Sequence, residues 1–75
     1  MTKLQKMAIR VLPKQDHFST ARTIRRIADL LRRQYCLKFS EEALEEALDN
    51  LIRVGILVRH YMDDDFYYHQ PFKNR

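Results

Sequence analysis

Residues 40–58 read SEEALEEALDNLIRVGILV, and this stretch contains the clearest start and end of a helix in the chain. Ser40 has the side chain of a helix N-cap, and two glutamates follow it in the first turn, where the helix dipole favours anions. Gly55, the only glycine in the chain, stands where a left-handed cap ends a helix. The stretch therefore predicts a helix over about residues 41–54.

This helix, the third along the chain, has one apolar face and one acidic face. An apolar stripe at helical spacing is predicted to face the core, and it consists of Leu44, Ala47, Leu48, Leu51 and Ile52. The opposite stripe is acidic and contains Glu42, Glu45, Glu46 and Asp49. A solvated face is the simpler interpretation, with Asp49 pairing with Arg53 one turn on. The alternative is a docking face for a basic partner or for another copy of the chain.

Two further amphipathic helices are predicted upstream, over about residues 3–12 and 20–35. Pro13 ends the first, and Ser19 or Thr20 caps the second. The apolar stripe of the first helix contains Leu4, Met7, Ala8, Val11 and Leu12. The stripe of the second contains Ile24, Ile27, Ala28, Leu31 and Tyr35.

Downstream of Gly55 the residue types change to strand formers, which predicts a β-hairpin over about residues 56–62 and 66–70. The aspartates at 63–65 form a solvated turn in this interpretation, because adjacent carboxylates do not point at one calcium ion. The hairpin aromatics are expected mainly to pack, with stacking on single-stranded bases as the alternative. The tail, residues 72–75, is expected to fray.

The order of elements and two motifs resemble the winged helix-turn-helix superfamily over roughly residues 3–70. The run Ile27-Ala28-x-x-Leu31 resembles the second helix of that family. The run Leu48-x-x-Leu51-x-x-x-Gly55-Ile56-Leu57 resembles the end of its third helix and the start of its wing. The resemblance implies one domain, residues 1–75, of the α+β class, mainly α, with three helices followed by a two-stranded β-hairpin wing.

In that family the third helix commonly enters the DNA major groove, where it needs hydrogen-bond donors and cations. This chain presents carboxylates there, and three more at the tip of the wing. They would repel the phosphodiester backbone. Standard docking through the third helix is therefore not expected. The segment 32–39 is also longer than the usual turn of the family, which alters the expected angle between the second and third helices.

The cations lie in the other half of the chain. Residues 1–38 carry ten Lys or Arg against two Asp, a net +8, while residues 39–75 carry four against eight Asp or Glu, a net −4. If the first two helices are adjacent, their outer stripes form one basic surface suited to phosphates. The predicted nucleic-acid-binding residues are Lys3, Lys6, Arg10, Arg22, Arg25, Arg26, Arg32 and Arg33. The alternative is an ordinary solvated helix face.

The sequence gives little support for catalysis, for a cofactor or metal site, or for a reactive thiol. Nothing pairs a nucleophile with an oriented base, so neither catalysis nor a cofactor is expected. His60 and His69 are predicted to face each other across the hairpin, but no third ligand stands at zinc spacing, so no metal site is predicted. Cys36 lacks a disulfide partner and is expected to be a buried, inert thiol. These features favour an intracellular, cytoplasmic protein without a membrane segment.

The sequence thus predicts a small non-enzymatic winged-helix protein that binds nucleic acid, DNA before RNA, as a transcription or replication accessory factor. The alternative is a protein–protein interaction module or adaptor subunit that uses its acidic third helix and wing. Opposite charges on two faces also make a homo-oligomer an expected assembly.

Overall fold

The computed structural model describes residues 2–14 and 20–71. Within these ranges the elements in chain order are α1 (Lys3–Val11), β1 (Arg22–Thr23), α2 (Ile24–Tyr35), α3 (Glu41–Arg53), β2 (Val58–Met62) and β3 (Asp65–His69). The predicted class, α+β and mainly α with three helices before a hairpin, is confirmed. The predicted cap at Ser19 and the predicted fraying of residues 72–75 lie outside the described residues.

Side-chain caps fix where α1 and α3 begin. The backbone N–H of Ala43 donates to Ser40 Oγ at 3.1 Å, so the predicted start of α3 is confirmed. At α1, Gln5 N–H donates to Thr2 Oγ1 at 3.2 Å while Thr2 N–H donates to Gln5 Oε1 at 3.0 Å. This reciprocal pair is a capping box, and it satisfies two backbone donors that a helix end leaves free.

The second helix was predicted to begin at residue 20, and this is wrong by four residues. The N-cap of α2 is Thr23, whose Oγ1 accepts from Arg26 N–H at 3.2 Å. The two residues before the helix form β1, in which Arg22 lies opposite Tyr68 and Thr23 opposite Tyr67. The sheet therefore has three strands in the order β1-β3-β2, where the sequence predicted two. Backbone pairing with β3 overrides a local pattern that favours helix.

The hairpin turn is one residue shorter than predicted, because Asp65 belongs to β3 and pairs with Met62. Asp63 and Asp64 alone form the turn, at φ of 54° and 63°. Two-residue hairpin turns of this hand need two left-handed residues, a conformation that aspartate tolerates. Gly55 has φ of 84°, as the cap of α3 was predicted to require.

The core lies between the three helices and the inner face of the sheet. The predicted stripes supply most of it, and α1 packs against both α2 and α3. The core cluster contains Ala8, Val11, Leu12, Ile27, Ala28, Leu31, Leu44, Leu48, Leu51, Leu57 and Tyr68. Other predicted core positions are only half-buried around this cluster, namely Leu4, Met7, Ile24, Tyr35 and Ile52.

Polar contacts join the end of the sheet to the end of α1. Gln70 Nε2 donates to the carbonyl oxygens of Ile9 at 2.6 Å and Leu12 at 3.2 Å. Beside it, the Nε2 atoms of His60 and His69 lie 2.8 Å apart, and His69 Nδ1 lies 2.8 Å from the Gln70 carbonyl oxygen. The predicted contact of the two histidines across the hairpin is therefore confirmed.

The prediction of a buried Cys36 is wrong. The residue is exposed and ends α2 with φ of 52°, in the left-handed region. A cap in this conformation turns the chain out of the helix, so Cys36 does not follow the inward stripe. Leu37 and Phe39 pack against the core in its place. The aromatic and aliphatic neighbours of Cys36 in the sequence suggested burial, but with the left-handed backbone at this residue its side chain is exposed to solvent.

Candidate interaction surfaces

Four of the predicted arginines line two adjoining clefts around the start of α2. One cleft, of about 440 Å³, is lined by Arg25, Arg26 and Arg32 together with two acidic residues, Asp29 and Glu41. The other, of about 370 Å³, is lined by Arg22 and Arg26 together with Tyr67. Arg26 and Thr23 border both clefts, so the two are neighbours. We call Arg22, Arg25, Arg26 and Arg32 the arginine surface.

The members of the arginine surface differ in how far their charge is already satisfied. Arg25 and Arg26 are exposed and Arg22 is half-buried, and none of the three has an ion pair among the described residues. Arg32 Nη2 donates to the Phe39 carbonyl oxygen at 3.4 Å, and its guanidinium carbon lies 4.6 Å from the centroid of the Phe39 ring. Three cations are therefore available, and a fourth is held in a fixed orientation by cation–π contact.

Arg33 lies two turns after Arg26 on α2 but lines neither cleft, and its Nε is 3.4 Å from Asp29 Oδ2. Both side chains are well exposed, so the pair adds little stability but neutralises part of the charge. Lys3, Lys6 and Arg10 are exposed on α1. Neither arginine-lined cleft contains a residue of α1. One basic surface across both helices stays a prediction.

The predicted acidic set is divided among three environments. Glu42 and Glu45 line a cleft of about 510 Å³ with Glu41, Asp65 and Arg25. We call this the acidic cleft, and it adjoins the arginine surface because Arg25 borders both. Glu46 lines a separate cleft of about 340 Å³ between α1 and α3.

The fourth member of the acidic set, Asp49, accepts a hydrogen bond on Oδ1 from Arg59 Nη1 of β2 at 3.2 Å, where the sequence had suggested Arg53 as its partner. Sequence reasoning also missed Asp65 in the acidic cleft, since only the hairpin register brings it there. The Asp63-Asp64-Asp65 run was the available signal.

A third surface is formed by hairpin residues that extend past the core, among them Phe66, an aromatic that was expected mainly to pack. Tyr61 and Phe66 are cross-strand partners whose ring centroids lie 5.0 Å apart. Their exposed fractions are 63% and 42%. The guanidinium carbon of Arg59 lies 4.8 Å from the centroid of the Phe66 ring. We call Arg59, Tyr61 and Phe66 the aromatic face.

Tyr68 lies opposite Arg59 on the same side of the sheet and reaches the core. Burial raises the pKa of its phenol above 10.0, and the neighbouring Arg59 opposes the shift. Asp49 and Glu45 raise the pKa further because their negative charges disfavour a phenolate. The tyrosine therefore stays neutral near pH 7 and marks where the acidic stripe of α3 meets the hairpin.

Within residues 2–14 and 20–71, no three His, Cys, Asp or Glu side chains are grouped in a way that would hold a metal ion. The helices of this part of the chain are also too short or too polar to cross a bilayer. No protein-family model matches the chain, and comparison with curated proteins and with solved structures finds no significant match.

Proposed function

We propose that this chain is a non-enzymatic winged-helix protein that binds nucleic acid through the arginine surface. The observation that carries the proposal is the placement of Arg22, Arg25 and Arg26 around two neighbouring clefts without an ion pair to any described residue. Guanidinium groups in such a cluster suit bidentate contacts to phosphate oxygens. The order of three helices and a hairpin supports the winged-helix assignment.

The position of these arginines on the helix adds to the argument. Arg25 and Arg26 occupy the first turn of α2, and that turn contains no acidic residue. The helix dipole places partial positive charge at the same end, so two cations there are unfavourable for the isolated protein by a few tenths of a kcal/mol each. A bound phosphate would interact favourably with both the guanidinium groups and the dipole.

Docking would differ from that of related folds. The outward side of α3 presents Glu42 and Glu45 in the acidic cleft, and phosphates would be repelled there. The start of α2 would face the nucleic acid, with α3 turned aside. Contacts of this kind address the backbone and carry little base information, which fits an accessory role in transcription or replication, on DNA before RNA.

A fluorescence anisotropy titration tests the proposal with labelled duplex and single-stranded DNA and RNA. Affinity is expected to fall by at least tenfold between about 50 mM and about 200 mM salt, because bound phosphates release counterions. Arg26→Glu is expected to weaken binding at least tenfold. The matched control is Arg53→Glu, which makes the same charge change at the exposed far end of α3. No binding of any of these ligands at low salt, or equal loss in both variants, contradicts the proposal.

A second candidate function rests on the acidic cleft. Four acidic residues, Glu41, Glu42, Glu45 and Asp65, line this cleft together with Arg25. A basic segment of a protein partner would complement them, as an adaptor or subunit role requires. Changing Glu42 and Glu45 to Lys separates the two functions: DNA binding is retained or strengthened if the arginine surface binds it, whereas a protein partner held by the cleft is lost.

A further inference from the structure

We propose that the protein forms a two-fold dimer in which the aromatic face and acidic cleft of one copy dock the arginine surface of the other. This inference goes beyond nucleic-acid binding, although it uses the same arginines. Because those arginines would be covered in the dimer, nucleic acid and the second copy would compete for them.

The aromatic face is an unpartnered sheet surface. Side chains alternate along β2 and β3, so Arg59, Tyr61, Phe66 and Tyr68 share one side of the hairpin. Tyr68 is 3% exposed and belongs to the core, whereas Tyr61 and Phe66 are exposed and contact each other with their rings tilted by 55°. Adjacent exposed rings of this size are typical of a contact surface.

The same surface already binds one guanidinium group. Arg59 lies between the ring of Phe66 and the carboxylate of Asp49, with cation–π contact on one side and a hydrogen bond on the other. The ring of Tyr61 and the carboxylates of the acidic cleft, whose Glu45 lies one helical turn before Asp49 on α3, offer the same chemistry to further guanidinium groups. An arginine-rich surface is therefore the ligand that fits.

The position of the two charged surfaces selects a second copy as the occupant. The acidic cleft and the arginine surface adjoin at Arg25 and Glu41, which border both. Acidic residues outnumber arginines four to one in the acidic cleft, whereas three arginines and two acidic residues line the neighbouring cleft. A two-fold rotation about this boundary brings the arginines of each copy against the carboxylates of its partner. Such an interface makes both contacts at once and closes at two chains.

Sedimentation equilibrium without nucleic acid tests the dimer. The mass is expected to rise from 9.1 kDa towards twice that value with concentration at low salt, and to fall back at high salt. Changing Tyr61 and Phe66 to Ser is expected to weaken dimerisation at least tenfold without altering charge. Val54→Ser is the matched control, because it removes an apolar side chain that is 67% exposed at the end of α3. It is expected to dimerise as the unchanged protein does.

Two variants with exchanged charges provide the decisive test of the dimer interface. One variant carries Glu42→Arg and Glu45→Arg, and the other carries Arg25→Glu and Arg26→Glu. Each alone is expected to stay monomeric through like-charge repulsion, while an equimolar mixture forms a 1:1 dimer. Circular dichroism checks that both fold.

An unchanged protein that stays monomeric at low salt, assembly beyond two chains, or a mixture that stays monomeric overturns the proposal. DNA binding measured at nanomolar protein is independent of this result, so the failure of one proposal is distinguishable from the failure of the other.

Discussion

Arg59 of β2 donates from Nη1 to Oδ1 of Asp49 of α3 over 3.2 Å, and this bond joins the hairpin to the acidic helix. It leaves one fewer free carboxylate on the outward side of α3. Because Arg59 is paired with Asp49, its guanidinium group is less available to bind a phosphate. Basic character is thereby concentrated at the start of α2, which is the physical basis of the proposed orientation.

Replacing Asp49 with Asn is expected to lower the free energy of unfolding by less than about 1 kcal/mol, because both partners of the pair are substantially exposed. DNA binding is expected to stay equal or become slightly tighter, since a negative charge is removed. Urea unfolding and anisotropy check the two results, with Glu46→Gln as a control for the charge change. Weaker DNA binding in the Asp49 variant alone would contradict the account.

Much of the fold could be predicted because its signals are local. The cap at Ser40, the glycine at 55 and the apolar stripe between them all act within a few residues, and α3 follows from them. β1 could not be predicted, because its two residues are strand only through pairing with Tyr67 and Tyr68 far along the chain. The conformation of Cys36 was missed for a related reason, since the sequence there lacks the glycine that signals a left-handed cap.

The interaction surfaces were predicted in part. The charge count separated the arginines of the first half of the chain from the glutamates of the second, but Arg22 was placed on the second helix and lies on β1. Arg22 and Arg26 nevertheless border one cleft. The aromatic face depends on cross-strand register and on how far the hairpin extends past the core, neither of which the sequence specifies.

The two histidines provide a stability test. His69 Nδ1 is placed to donate to the Gln70 carbonyl oxygen, so its Nε2 accepts from His60 Nε2–H. His69 is buried, and His60→Phe is therefore expected to cost about 1–3 kcal/mol by leaving that acceptor without its donor. His60→Gln retains an N–H donor and is expected to cost less. Urea unfolding at neutral pH checks the order, and equal costs would contradict the assigned bond.

Tyr68 predicts a stability change in alkaline solution. Because burial raises the folded-state pKa above 10.0, the folded protein holds the phenolic proton more tightly than the unfolded chain. The stability from this group is fully present below pH 10 and is lost as the pH rises through the folded-state pKa. Unfolding free energy is expected to fall less steeply above pH 10 in Tyr68→Phe. Tyr61→Phe is the control, and identical slopes in the Tyr68 variant and the unchanged protein would contradict the prediction.

The left-handed caps give a paired prediction. Cys36→Gly is expected to raise the free energy of unfolding by about 0.5–1 kcal/mol, because glycine adopts a φ of 52° without strain. Gly55→Ala is expected to lower it by about 1–2 kcal/mol, although a Cβ there meets no atom within 4 Å, because the backbone at φ of 84° is strained for alanine. Thermal and urea unfolding check both signs, and changes of the same sign would contradict the assigned conformations.

The most direct test of the arginine surface is the slope of log affinity against log salt for duplex DNA. Each phosphate contact contributes about 0.9 to the magnitude of that slope. Changing Arg25 and Arg26 to Gln is expected to lower the magnitude of the slope by about 2, while changing Glu42 and Glu45 to Gln is expected to leave it unchanged. An unchanged slope in the arginine variant, or a lower one in the glutamate variant, would contradict binding through the start of α2.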